Sequence, residues 1–205
     1  MDKTQKLDLL LATYIACLVS AELLGTKIFQ FGFLKASVGI FVLPITFTIN
    51  DIVTEVYGKP RARSFIKSGL VILIGLAIYN ALALILPPAQ RFLSSNNAYN
   101  LIFGKSLRIT LASLTAFFLA ERLDVYLFAK IREKLGAKKL WLRNNLSNFV
   151  GQLFDTSIFM FLAFYTPGSF NFILSLIWPY WLLKCFMSVI ETPLTYLGVR
   201  WLEKN

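Results

Sequence analysis

"FIKSGLVILIGLAIYNALALILPP", residues 65–88, decides the fold. From Phe65 to Leu86 the run carries a single charge, Lys67, and Pro87 and Pro88 then stop any helix from continuing. An α-helix rises 1.5 Å per residue, so about 20 mostly apolar residues cross the hydrocarbon core of a bilayer. This run is long enough. Five further runs meet the same criterion, which places predicted spans at 7–24, 38–57, 65–86, 107–128, 146–165 and 172–199. The expectation is an all-α polytopic membrane protein with six transmembrane helices in one bundle, a single domain over 1–205.

Composition points the same way. Mean hydropathy is +0.63, 57% of residues are hydrophobic and 16% are charged, more apolar surface than a soluble domain of 205 residues can hide. The net charge of +10 would suggest nucleic acid in a soluble chain. In a membrane protein, basic loops set topology instead, so no nucleic-acid partner is expected and the lipid bilayer is. Cys17 and Cys185 fall inside apolar runs and are expected as small packing residues, with neither a disulfide nor a metal pair.

There is no histidine. That removes Ser-His and Cys-His nucleophile pairs, His-ligated zinc, a haem His ligand and a His proton relay. No cofactor and no metal are expected, and any proton chemistry must run through carboxylates. An intramembrane enzyme is disfavoured further by the lack of a nucleophile elbow.

Loops mark the ends of the spans. "YTPGSFN" (165–171) is a turn between the fifth and sixth, and Pro179 lies near the start of the long last span. That span is either kinked there or preceded by a short interfacial piece around "IWPYW". Lys3 and Lys6 ahead of an apolar run resemble a signal peptide. Asp8 interrupts that run and it continues past Cys17, so an uncleaved first span is expected. With a cytoplasmic N-terminus, fourteen Lys and Arg fall on the inner side and five (Lys27, Lys35, Arg91, Lys105 and Arg108) on the outer. Both termini are therefore expected in the cytoplasm.

Ionisable groups within spans cost roughly 2.5–3.5 kcal/mol each on insertion scales, so they mark bundle interiors or cavities. Here they are Glu22, Asp51, Glu55, Glu121, Arg122, Asp124, Asp155, Lys184 and Glu191. Helical spacing sorts them into stripes. Asn145, Asn148, Gln152 and Asp155 share one face of the fifth span, and Trp181, Lys184, Ser188 and Glu191 one face of the sixth. Thr110, Ser113, Phe117, Glu121 and Asp124 share a face of the fourth. Such stripes could simply hold helices together through hydrogen bonds. Three of them, with the acid pair Asp51 and Glu55, favour a water-filled substrate cavity. Lys184 lies mid-span and needs a carboxylate, Asp155 first and Glu191 second, as either a strut or part of the site. Glu55 has a bland alternative, a local bridge to Lys59 four residues on; Asp51 has no base at three or four positions.

Four stretches taken in order carry a resemblance. "NDIVTEVYGKPRAR" (50–63), "LDVYLFAKIREK" (123–134), "RNNLSNFVGQLFDT" (143–156) and "YWLLKCFMSVIETPLTY" (180–196) resemble the bacterial queuosine precursor transporters, also grouped with vitamin uptake transporters. The resemblance covers nearly all of the chain. It implies a six-helix, multi-pass importer of the bacterial inner (cytoplasmic) membrane. Its small-molecule substrates would be 7-deazaguanine bases, preQ0 and preQ1 or in some organisms queuine, feeding tRNA modification. Matched positions are Asp51, Gly58, Arg63, Asp124, Asn148, Asp155, Lys184 and Pro193, with Glu55 and Gln152 in the commoner form of the motif. Glu22 stands where many relatives carry Asn and is given no shared role.

Chemistry agrees with that implication. A guanine-like edge presents two adjacent N–H donors to a carboxylate, and a flat ring stacks on aromatics such as Phe117, Phe159, Trp178 or Trp181. The expected substrate contacts are Asp51, Glu55, Asp124, Asn148, Gln152, Asp155, Lys184 and Trp181, with Asp51 and Asp155 on opposite sides of the cavity. The main alternative is the membrane substrate-binding component of an energy-coupled vitamin transporter, which would depend on an ATPase partner; a channel or scaffold ranks next. Proton coupling and facilitated diffusion both stand open, and no feature specifies an oligomeric state.

Overall fold

The computed structural model describes residues 1–32, 34–135 and 140–203, with side chains at 34–35, 121–122, 124–148 and 188–192 outside that description. Helices dominate: α1 Lys3–Leu24, α2 Leu43–Tyr57, α3 Lys59–Ile85, α4 Leu93–Leu135, α5 Leu140–Phe164 and α6 Phe170–Glu203. Among the described residues, five helical stretches are long and apolar enough to cross a membrane: Lys3–Leu24, Val38–Tyr57, Lys59–Ile85, Gln90–Ala120 and Phe170–Met187. A shorter apolar stretch, Phe149–Phe164, belongs to α5. The protein is an all-α, multi-pass membrane protein.

The chain divides into two compact units, Met1–Thr110 with Phe186–Asn205, and Leu111–Cys185. In the first, α1 opens with a reciprocal cap: Asp2 Oδ1 accepts from the Gln5 N–H (2.7 Å) and Gln5 Oε1 from the Asp2 N–H (3.0 Å). Leu7 and Tyr14 of α1, Ile49 and Val53 of α2, and Ala62 and Phe65 of α3 form one buried cluster. Gly69 lets α3 approach α1 closely, since a Cβ there would meet Leu18 Cδ1 at 2.6 Å. Gly198 of α6 does the same against Ile52 of α2. Ser106 Oγ donates to the Glu22 carbonyl (2.9 Å), and Asn80 Nδ2 to the Phe103 carbonyl (3.1 Å), fastening the start of α4 to α1 and α3. The chain ends meet as well. Buried Lys6 donates to the Trp201 carbonyl at 2.8 Å, in the last turn of α6, where a cation suits the helix dipole.

Gly58 alone joins α2 to α3. Its backbone (φ 80°, ψ 169°) is open to glycine and almost nothing else, and it turns the chain so sharply that helical spacing does not carry across. Among the described residues Glu55 and Lys59 accordingly form no ion pair, so the local bridge that stood as the alternative for Glu55 gives way to two separate helix ends.

Three features differ in detail from the spans expected. Between α1 and α2 lies an antiparallel hairpin, β1 Ile28–Phe31 and β2 Leu34–Ser37, in which Phe31 pairs with Leu34 and Gly32 (φ 58°) opens the connection. A 3₁₀ turn, Val38–Phe41, follows it and is capped by Ser37 Oγ accepting from the Gly39 N–H. α4 starts at Leu93, well before 107, because no proline interrupts it, and its 43 residues are about twice the number that a span needs. α6 runs unbroken through Pro179, with no separate interfacial piece.

Candidate substrate site

α5 and the first part of α6 form a helical hairpin in the second unit. Its turn is as expected from "YTPGSFN": Ser169 N–H donates to the Thr166 carbonyl (2.9 Å), Thr166 N–H to Ser169 Oγ (2.8 Å), and Gly168 takes φ 85°. A connection this short folds α6 back along α5. Apolar positions set the contact. Met160 and Ala163 of α5, and Ile173, Leu176, Ile177 and Tyr180 of α6, are buried.

Next to that seam one residue from each polar stripe pairs. Lys184 Nζ donates to Asp155 Oδ2 at 3.0 Å, which is the pair expected from their depth. The ammonium also stands 5.8 Å from the centre of the buried Tyr180 ring. Exposure is uneven, 15% for the lysine side chain and 33% for the aspartate, so the cation is enclosed while part of the carboxylate remains open. One turn before Asp155, Gln152 Oε1 accepts from the Cys185 thiol (3.7 Å). A further turn back, Trp181 Nε1 donates to the Phe149 carbonyl (3.3 Å), and the two rings meet edge to face at 6.3 Å. Trp178 packs at right angles to Trp181, 5.8 Å away.

The hairpin thus brings together Gln152, Asp155, Lys184 and Trp181 of the expected set. Asp51 and Glu55 lie on α2, in the other unit, and both are exposed. Asp51 and Glu55 stand on the face of α2 away from Ile52 and Val53, which are buried. Asp51 has no ion-pair or hydrogen-bond partner among the described residues. The side chains of Asp124 and Asn148, and of Glu121 and Glu191, lie outside the described residues. Of the aromatics considered for stacking, Phe159 packs edge-on against Phe164. Cys185, expected as mere packing, is instead a hydrogen-bonding member of the cluster. Its signal was its place four residues after Trp181, on the same helix face. No group of three or more metal-binding side chains occurs among the described residues.

Chemically the cluster is a recognition surface. It offers amide donors, a half-open carboxylate and flat aromatic faces, but no activated nucleophile. The sequence profile described as "Putative vitamin uptake transporter" matches residues 37–198, from the end of the hairpin to near the end of α6. The chain belongs to this vitamin uptake transporter family. All the motif positions named above fall within the match, and the family is one of transporters rather than enzymes. Among relatives, a protein of Bacillus subtilis (strain 168) named "Probable queuosine precursor transporter" is 34% identical over 188 residues, covering 91% of this chain and 82% of the relative. The "Queuosine precursor transporter" of Escherichia coli (strain K12) is 29% identical over 133 residues, 64% of this chain and 57% of the relative. No solved structure matches. A vitamin uptake transporter handles a small molecule within a bilayer, and both requirements fit the hairpin.

Proposed function

We propose that this family member imports queuosine precursors, the 7-deazaguanine bases preQ0 and preQ1 or their relative queuine, across the bacterial inner membrane. Six spans form one transporting domain, and both termini face the cytoplasm, consistent with the fourteen-to-five division of basic residues. The observation that carries the reading is the Lys184–Asp155 pair. The enclosed lysine holds one oxygen of the aspartate, and the open part of that carboxylate accepts the paired N–H donors of the base. Gln152 and the Trp181 face flank it, and Asp124 and Asn148 complete the site. Asp51, on α2 of the other unit, is a further substrate-contacting carboxylate in this reading: a carboxylate within a span, with no partner among the described residues, is costly unless substrate or a proton visits it. Glu55 assists it from one turn away. The names of the two relatives support the substrate class.

The test is genetic. Expressed in cells that neither synthesise nor import these precursors, the protein should restore queuosine to tRNA when preQ0 or preQ1 is supplied. Membrane-localised protein with queuosine absent from the tRNA would refute the proposal.

A further inference from the structure

Asp155 and Lys184 explain a charge, but they do not explain how a site would tell one flat heterocycle from another. A glutamine amide can do that, because its two ends differ only in donor and acceptor character and turning it over reverses what it offers. Gln152 is such a group. Its Oε1 accepts from the Cys185 thiol across the α5–α6 contact, and its Nε2 has no acceptor among the described residues. A thiol donates only weakly, yet it is enough to bias an amide otherwise free to turn. Asp155 lies three positions further along α5, with Oδ2 taken by Lys184. Positions three apart on a helix are about 5–6 Å apart at Cβ, a distance that the edge of one fused ring spans. Along this face α5 therefore presents a donor and then an acceptor.

We infer that Cys185 is a positioning residue that fixes the Gln152 amide with its N–H groups toward substrate, and so selects 6-oxo over 6-amino heterocycles. A 6-oxo edge carries a carbonyl acceptor beside ring N–H donors and matches donor-then-acceptor. A 6-amino edge carries a donor beside a ring-nitrogen acceptor and meets the same row in reverse, donor against donor. Lys184 completes the arrangement by holding Asp155 as an acceptor. The inference rests on the substrate class proposed above.

The test is competition in whole cells expressing the full chain, with uptake of labelled preQ1 challenged by 7-deazaguanine (6-oxo) or 7-deazaadenine (6-amino). Wild type should be inhibited far more strongly by the 6-oxo compound. Cys185→Val, close in shape but without a donor, and Cys185→Ala should narrow that preference about threefold to tenfold, the range of one ordinary neutral hydrogen bond. The amount of protein in the membrane should change little. Cys185→Ser, which restores a donor, should restore the preference. If both donor-free variants keep the wild-type preference, Cys185 does not orient the amide. If all three variants lose uptake equally with the preference unchanged, Cys185 is packing alone. Failure of wild type to take up preQ1 would instead refute the substrate class, so the two failures are distinguishable.

Discussion

Replacing Lys184 by methionine keeps the unbranched stem, one atom shorter, and removes the charge, leaving the Asp155 carboxylate within the helical hairpin without its 3.0 Å partner. At an effective dielectric constant near 20, unit charges at that distance attract by roughly 5 kcal/mol. Much of this is offset by the desolvation already incurred, and breaking a fully buried pair costs about 3–5 kcal/mol. Asp155 is one-third exposed, so water screens the stranded charge, and a loss of about 2–3 kcal/mol is expected. Asp155→Asn strands the ammonium instead, and the double variant strands neither. A double-mutant cycle on purified protein in detergent, read as unfolding free energy, should give a favourable coupling of about 2 kcal/mol. The double variant should then be more stable than Lys184→Met alone. Uptake supplies the second readout: the double variant should recover folding and membrane abundance yet remain impaired in transport, because the acceptor is gone. Stabilities that add within about 0.5 kcal/mol would show that the pair contributes no coupling and would refute the reasoning.

Asp51→Asn should lower uptake at least tenfold, about 1.4 kcal/mol, because an amide donor then faces the donors of the base; Glu55→Gln should be milder. Normal uptake by Asp51→Asn at normal abundance would move the site elsewhere. A reporter fused after Asn205 should behave as cytoplasmic, and a periplasmic signal would overturn the topology. Gly58→Ala should destabilise the protein by about 1–3 kcal/mol through backbone strain alone, since the nearest atom to a new Cβ is Pro60 Cδ at 3.7 Å. Wild-type stability would show that the α2–α3 corner relaxes freely.

The spans were legible because hydropathy and helix length are local properties, and Phe65–Leu86 carries both without interruption. The Lys184–Asp155 pair was legible for a similar reason: two opposite charges at one depth in adjacent spans have few alternatives. The Cys185–Gln152 contact was not. It depends on the register of α5 against α6, which the turn at Thr166–Ser169 and the packed apolar seam decide together. The alternative bridge from Glu55 misleads in a different way. Counting four residues to Lys59 assumes one continuous helix, and Gly58, a single residue at φ 80°, removes that assumption. The hairpin after α1 was hidden because "KIFQFGFLKAS" is too short and too apolar for its alternation to stand out between two spans.

The hydrogen bond from Lys6 to the Trp201 carbonyl joins the fourth residue of α1 to the last turn of α6. The first unit is therefore discontinuous: its opening helices are finished by residues from Phe186 onward, after the whole second unit has been made. At about 5–20 residues per second, translation of the intervening unit leaves α1, α2 and α3 in the membrane for on the order of ten seconds before α6 arrives. During that interval Ile52 faces lipid or insertion machinery where Gly198 will later lie, and Lys6 has no helix end to cap. Assembly thus closes where synthesis began, and a chain that loses its last turns keeps the contacts of α5 with the first part of α6 but leaves the first unit unfinished.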